Sequence, residues 1–63
     1  REIDRFLARL EPAARALFLR RYYMGDSIEE LSRAFRISKN NVSVRLSRLR
    51  DRLRHHLQEE GSL

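Results

Sequence analysis

Residues 27–54 have the sequence SIEELSRAFRISKNNVSVRLSRLRDRLR, and this stretch decides the fold. Ser27 and Glu30 form the S-x-x-E pattern of a capping box, which predicts that a short helix begins directly after Ser27. Ser38 is a second N-cap residue, so we predict another helix from Lys39 onward. The short turn between these two helices matches the spacing of a helix-turn-helix.

The apolar residues on both sides of this turn recur at helical spacing. Pro12 disfavours helix at the residue before it and suits a first helical turn, so one helix ends and another begins there. We predict helices over about residues 3–10, 12–23, 28–35 and 39–60, the last ending near Gly61. The predicted buried residues are Ile3, Phe6, Leu7 and Leu10 in the first helix, Ala13, Leu17, Phe18 and Tyr22 in the second, Ile28, Leu31 and Phe35 in the third, and Val42, Leu46, Leu49, Leu53 and Leu57 in the fourth.

These elements predict an all-α fold, in which about four helices form one small domain over residues 1–63 and the last helix is long. The chain has no cysteine, so we expect packing alone to hold the core. It begins at Arg1 without an initiator methionine, which indicates part of a longer protein. No stretch has the length of a membrane span or the pattern of a signal peptide, so we expect a cytoplasmic protein without a membrane partner.

Catalysis is disfavoured, because a domain of 63 residues leaves little room for an enclosed active site. His55 and His56 are adjacent, so on a helix their side chains point about 100° apart. No other histidine or cysteine is present to complete a metal site with them. We therefore expect two surface histidines, no metal, no cofactor and no enzymatic activity.

The excess positive charge lies in the second half of the helix-turn-helix. Residues 36–54 hold seven basic side chains against one acidic side chain, in a chain whose formal net charge is +5. A basic segment of this kind favours a polyanionic partner, although a solvated helix face is the common alternative. The turn in front of the segment favours double-stranded DNA, because the second helix of such a motif enters the major groove.

The predicted DNA contacts divide into two sets. With Val42 pointing into the core, 100° per residue puts Asn40, Ser43, Val44 and Ser47 on the opposite face. The predicted base contacts are Lys39, Asn40, Ser43, Val44 and Ser47, and the predicted phosphate contacts are Ser27, Arg36, Ser38, Asn41, Arg45 and Arg48. Val44 would meet a thymine methyl group or would be a lone exposed valine. Further along, Arg50, Arg52 and Arg54 are expected to be solvated or paired with acids on other helices.

Nearly the whole chain resembles region 4 of the sigma-70 family of bacterial RNA polymerase sigma factors, particularly the extracytoplasmic-function-like members. The residues that carry the resemblance are Phe6, Leu7, Leu10, Arg15, Phe18, Arg20, Arg21, Tyr22 and Tyr23, then residues 26–32 with Phe35, Ile37 and Ser38, and finally Val42, Arg45, Leu46, Arg48, Arg50 and Leu53. The resemblance implies recognition of the minus thirty-five promoter element as part of the polymerase holoenzyme. It also implies docking on the flap of the polymerase β subunit and masking by an anti-sigma factor.

Three departures from the family pattern affect four positions. Arg36 occupies the turn position where the family usually has glycine, Asn41 replaces a threonine, and Ser43-Val44 replaces a frequent Lys-Ser. The changes on the outer face concern which promoter sequence is bound. Arginine at a left-handed turn position would cost on the order of 1 kcal/mol, and its side chain could reach a phosphate. Two other interpretations remain open here: the helix-turn-helix of another regulator, such as a LuxR-type domain, or a helical interaction module that pairs through the leucine stripe. We expect a monomer, with the leucines in the intramolecular core.

Overall fold

The computed structural model describes residues 1–60, which form four α-helices: α1 (Glu2–Arg9), α2 (Pro12–Tyr22), α3 (Ile28–Phe35) and α4 (Lys39–Glu59). The predicted all-α fold is confirmed, and each helix begins and ends within one residue of its predicted bounds. The predicted end near Gly61 lies outside the described residues. Within residues 1–60, none of the helices combines the length and the apolar character needed to cross a membrane.

Both predicted N-caps of the helix-turn-helix are confirmed. The Ser27 hydroxyl accepts a hydrogen bond from the Glu30 N–H at 3.0 Å, and the Glu30 carboxylate accepts one from the Ser27 N–H at 2.8 Å. The backbone N–H of Ser27 is the main reason that the pKa of the Glu30 carboxyl lies below its usual value, and the Ser27 hydroxyl adds to this lowering. Ser38 accepts from the Asn41 N–H at 3.0 Å. These bonds satisfy backbone donors that a helix N-terminus otherwise leaves free.

The core lies where α4 packs against the other three helices. Its most deeply buried side chains are Leu31, Val42 and Leu46, each at most 1% exposed. They join α3 to the first turns of α4, so the angle between the two helices of the motif is fixed by packing. The remaining buried apolar residues are Phe6, Leu7, Leu10, Leu17, Phe18 and Leu49.

The predicted apolar stripe of α2 is wrong at its two ends. Ala13 is exposed and Tyr22 is 43% exposed, whereas Leu17 and Phe18 are buried. The helix turns Ala14 rather than Ala13 toward the core. Tyr22 instead lays its ring beside that of Phe18, with 4.8 Å between the ring centroids, which leaves its other side in solvent.

His56 also corrects the sequence analysis, which placed both histidines on the surface. His55 is exposed, but the His56 side chain is only 7% exposed. Its ring centroid lies 5.8 Å from that of Phe6, and its Nε2 lies 3.1 Å from Glu2 Oε2. Its partners belong to α1, about fifty residues earlier in the chain, so no local spacing could have indicated them.

Two arginine side chains of α2 bond to the segments on either side of that helix. Arg15 donates from Nε to the Leu7 carbonyl and from a terminal nitrogen to the Leu10 carbonyl, both at 2.9 Å. It thereby satisfies carbonyl groups at the C-terminal end of α1. Arg20 forms a 2.6 Å ion pair with Asp26 in the loop before α3. These bonds link α2 to both of its neighbours along the chain.

Candidate nucleic-acid interface

The turn between α3 and α4 depends on Ser32 and Arg36. Arg36 ends α3 with φ 55° and ψ 44°, so this residue is left-handed, as the glycine usual at this family position would allow. The N–H groups of Arg36 and Ile37 both donate to the Ser32 carbonyl. The Ser32 hydroxyl donates in turn to the Ile37 carbonyl at 2.5 Å. The hydroxyl bond of Ser32 is thus a further restraint on the turn.

The residues predicted to contact bases lie together on the outward side of α4. Lys39, Asn40, Ser43, Val44 and Ser47 are all exposed, and they occupy the first three turns of the helix. We refer to these five residues as the recognition face. Val44 is 37% exposed although it is apolar. With short polar neighbours around it, this face can approach the edges of base pairs closely.

Lys39 makes an ion pair that the sequence analysis did not foresee. Its Nζ lies 3.6 Å from a carboxylate oxygen of Glu29, which belongs to the first turn of α3. Both side chains are more than 60% exposed, at 63% and 64%. An exposed pair of this kind contributes only about 0–1 kcal/mol, so the ammonium group can leave it to reach another partner.

Most residues predicted to contact phosphate lie along one flank of α4. Asn41 is half-buried, and its side-chain oxygen accepts a hydrogen bond from Arg45 Nε at 2.9 Å. This bond turns the Arg45 guanidinium so that its terminal nitrogens remain available. Arg48 follows one turn later and is exposed. The spacing of Asn41 and Arg45, four residues apart, could have indicated this pairing from the sequence.

The same flank borders a groove of about 350 Å³ between α4 and the start of α2. Ala14, Leu17 and Leu49 line its apolar part, while Arg45 and Arg48 line its basic part. The other two predicted phosphate contacts do not lie on this side of α4: Ser27 precedes α3, and Arg36 lies in the turn after α3. The structure thus places the N-cap residue Ser38 on the same side as Asn41, Arg45 and Arg48 of α4, and we call these four residues the phosphate flank.

On the opposite side of the recognition face, Ser43 borders a second depression with Arg21, Tyr22 and Arg50. Arg50 donates a hydrogen bond to the Tyr22 hydroxyl. These three residues were not predicted to belong to the site, because Arg21 and Tyr22 lie on α2 and only the tertiary fold brings them next to Arg50 on α4. The recognition face therefore has basic side chains on both sides.

The basic residues further along α4 are exposed, as expected, but two of them contact partners that were not expected. Arg54 pairs at 2.8 Å with Asp51, three residues earlier in its own helix, and not with an acid on another helix. Arg50 contacts a tyrosine hydroxyl, and Arg52 is exposed. Since α4 is 21 residues long, Arg52 and Arg54 lie beyond the recognition face along the helix axis.

A capped helix-turn-helix whose second helix presents exposed polar side chains between basic flanks defines a DNA-binding domain of the helix-turn-helix class. The family described as Sigma-70, region 4 matches residues 1–53, and the chain belongs to this family. Comparison with curated proteins and with solved structures gives no match. Region 4 domains are DNA-binding domains of sigma factors and act in transcription, so the chain falls in a family of transcription factor domains and not in a family of enzymes. The LuxR-type interpretation loses its support.

Proposed function

We propose that this domain recognises the minus thirty-five promoter element as part of the RNA polymerase holoenzyme. The observation that carries the proposal is the recognition face, which is exposed over three turns of α4 while Leu31, Val42 and Leu46 hold that helix firmly against α3. A rigid support of this kind presents side chains to the major groove at a fixed angle. Family membership supports the same role.

Within this proposal, the recognition face provides the base contacts. Asn40 is suited to a bidentate hydrogen bond with adenine, and Lys39 reaches guanine once it leaves Glu29. Val44 packs against a thymine methyl group, which explains an apolar side chain at an exposed position. Ser43 and Ser47 bond to base edges of either kind.

The phosphate contacts come from both sides of the base contacts. Arg45, oriented by Asn41, and Arg48 bind one DNA strand along the phosphate flank. The N-terminus of α4 at Ser38 presents backbone N–H groups that suit a phosphate. The N-terminus of α3 at Ser27 presents backbone N–H groups in the same way. Arg36 reaches a phosphate from the turn, where its side chain is exposed.

We propose that the partners beyond DNA are the flap of the polymerase β subunit and an anti-sigma factor. Family membership supports both. Of the apolar residues of the early helices, Phe6, Leu10 and Leu17 are buried and unavailable, whereas Tyr22 and Tyr23 are exposed. A cytoplasmic monomer fits this role. The burial of Val42, Leu46 and Leu49 in the core, with Leu53 packed against it, supports the monomer over a coiled coil.

Binding assays that separate affinity from specificity test the proposal. Selection from a random DNA pool with the holoenzyme would first supply a preferred fragment, and fluorescence anisotropy would then measure binding of the chain to it and to a scrambled fragment at several salt concentrations. We expect Arg45→Ala to weaken binding to both fragments and to reduce the log–log salt slope by about 0.9. Asn40→Ala should reduce the preference between the fragments by about 1–3 kcal/mol.

Arg9→Ala is the matched control, because Arg9 is an exposed arginine at the end of α1 and its loss changes the net charge equally. It should leave the preference unchanged and affect affinity less than Arg45→Ala does. If Arg9→Ala and Arg45→Ala weaken binding equally, the phosphate flank is not the DNA-binding surface. If Asn40→Ala leaves the preference intact, the assignment of the recognition face is wrong.

A further inference from the structure

The first residues of α1 and the last residues of α4 meet in a cluster that the proposed function does not use. It consists of Glu2, His56 and Glu60, each of which offers one potential ligand atom, and these three atoms lie within 4.8 Å of one another. The cluster lies beyond the recognition face along α4, since His56 follows Ser47, the last residue of that face, by about 13 Å of continuous helix. It is thus separate from the nucleic-acid interface.

The imidazole of His56 is held in a fixed position. The side chain is more than nine-tenths buried, and its ring packs beside that of Phe6. Burial against the core leaves the ring few alternative rotamers, and its Nε2 points toward Glu2 Oε2 at 3.1 Å. A ligand atom that is already held in place loses little conformational entropy when it binds an ion.

The two carboxylates are arranged around this nitrogen by the helices. Glu60 follows His56 by four residues, so the two side chains lie on the same side of the end of α4. Glu2 comes from the first turn of α1, and its other oxygen, Oε1, accepts from Arg5 at 3.3 Å. A hydrogen bond to the second oxygen of a carboxylate is the usual way in which proteins orient that ligand toward a metal.

We propose that Glu2, His56 and Glu60 bind a divalent transition metal ion, with Zn²⁺ as the best fit and water completing the coordination. One imidazole and two carboxylates are ligands that Zn²⁺ accepts, whereas Mg²⁺ and Ca²⁺ prefer oxygen alone. Zinc bonds of about 2.0–2.1 Å in tetrahedral geometry place ligand atoms about 3.3 Å apart. The separation of 3.1 Å between Glu2 and His56 is already close to that value.

Binding at this site joins the two ends of the domain. The ion links α1 directly to the last turn of α4, and these helices otherwise meet through Phe6 and its neighbours. Only the folded chain brings the three ligands together, so metal binding stabilises the folded state. We expect Zn²⁺ at 100 times its Kd to raise the midpoint of thermal unfolding by about 11–22 °C.

The test is a titration of the N-terminally acetylated chain with ZnCl₂, followed by calorimetry, by thermal unfolding and by the ¹⁵N chemical shifts of the imidazoles. Acetylation removes the terminal amine as a competing ligand. Glu2→Gln and Glu60→Gln each remove one ligand without altering the core, and circular dichroism of the metal-free variants verifies that they fold. We expect each to weaken Zn²⁺ binding at least about tenfold.

The neighbouring pair His55 and Glu59 provides the control, because it has the same spacing and is exposed. The double variant His55→Ala, Glu59→Gln should retain saturable one-to-one binding, and the Nε2 resonance of His56 should shift on titration. Absence of saturable binding by the acetylated chain would overturn the proposal. So would an equal loss of binding in the control variant, or a His56 Nε2 resonance that does not move.

Discussion

Replacing Arg36 by glycine should make the domain more stable and lower its affinity for DNA. Arg36 is the one non-glycine residue with a positive φ among residues 1–60, at 55°. For a residue with a Cβ atom this conformation is unfavourable by roughly 1–2 kcal/mol. Glycine removes this strain, but it also increases the conformational entropy of the unfolded chain, which offsets part of the stabilisation. The expected net stabilisation is about 1 kcal/mol, which corresponds to a rise of about 4–8 °C in Tm for a domain of this size.

Arg36→Ala separates the backbone effect from the loss of charge. It removes the same guanidinium but keeps the Cβ atom, so its Tm should stay close to that of the original chain. The measurement is thermal unfolding by circular dichroism for all three chains at one salt concentration. If alanine raises Tm as much as glycine does, the gain comes from reduced charge repulsion, and the argument from the left-handed backbone is refuted.

The same pair of variants examines the proposed contact of Arg36 with phosphate. Both should reduce the log–log salt slope of DNA binding by about 0.9, because each removes one neutralising charge at the turn. Glycine should therefore raise stability and lower affinity together, whereas alanine should lower affinity alone. An unchanged salt slope in both variants would remove Arg36 from the phosphate contacts.

Three further perturbations follow from the core and the caps. Leu31→Ala removes a fully buried side chain and should lower the free energy of unfolding by about 2–5 kcal/mol, enough to unfold much of so small a domain. Far-ultraviolet circular dichroism at 25 °C would detect the loss of helix, and retained helicity would contradict this prediction. Ser38→Ala removes the N-cap of α4 and should lower the free energy of unfolding, measured in urea, by about 1 kcal/mol. Ser47→Ala on the exposed face should lower this free energy much less. Because the pKa of Glu30 is lowered in the folded chain, its contribution to stability is present above the unfolded pKa and is lost as the pH falls through the folded pKa. Glu30→Gln should flatten the acid limb of a Tm-against-pH curve, and an unaltered limb would refute this assignment.

The sequence predicted the helix boundaries well because short-range chemistry determines them. The hydroxyls of Ser27 and Ser38 bind N–H groups only three residues away, and Pro12 acts on its immediate neighbour. Such effects are present in any short window of sequence. The same locality explains why the exposed positions of α4 were predicted from helical angles alone.

Contacts between distant parts of the chain could not be predicted in this way. The burial of His56 depends on Glu2 and Phe6, and the position of Arg50 depends on Tyr22. In α2, periodicity alone could not distinguish Ala13 from Ala14, because the choice depends on where the neighbouring helices pack. The assignment of bases and phosphates to particular side chains stays a prediction.

Four residues of the recognition face, Asn40, Ser43, Val44 and Ser47, can be exchanged with little effect on the fold. Within residues 1–60, the side-chain hydrogen bonds and ion pairs of the first turns of α4 belong to Ser38, Lys39, Asn41 and Arg45. Substitutions at Asn40, Ser43, Val44 and Ser47 should therefore change stability by no more than about 0.5 kcal/mol each. A lineage or a combinatorial library could exchange these four side chains freely while the scaffold stays folded, so new target preferences can arise without compensating mutations elsewhere.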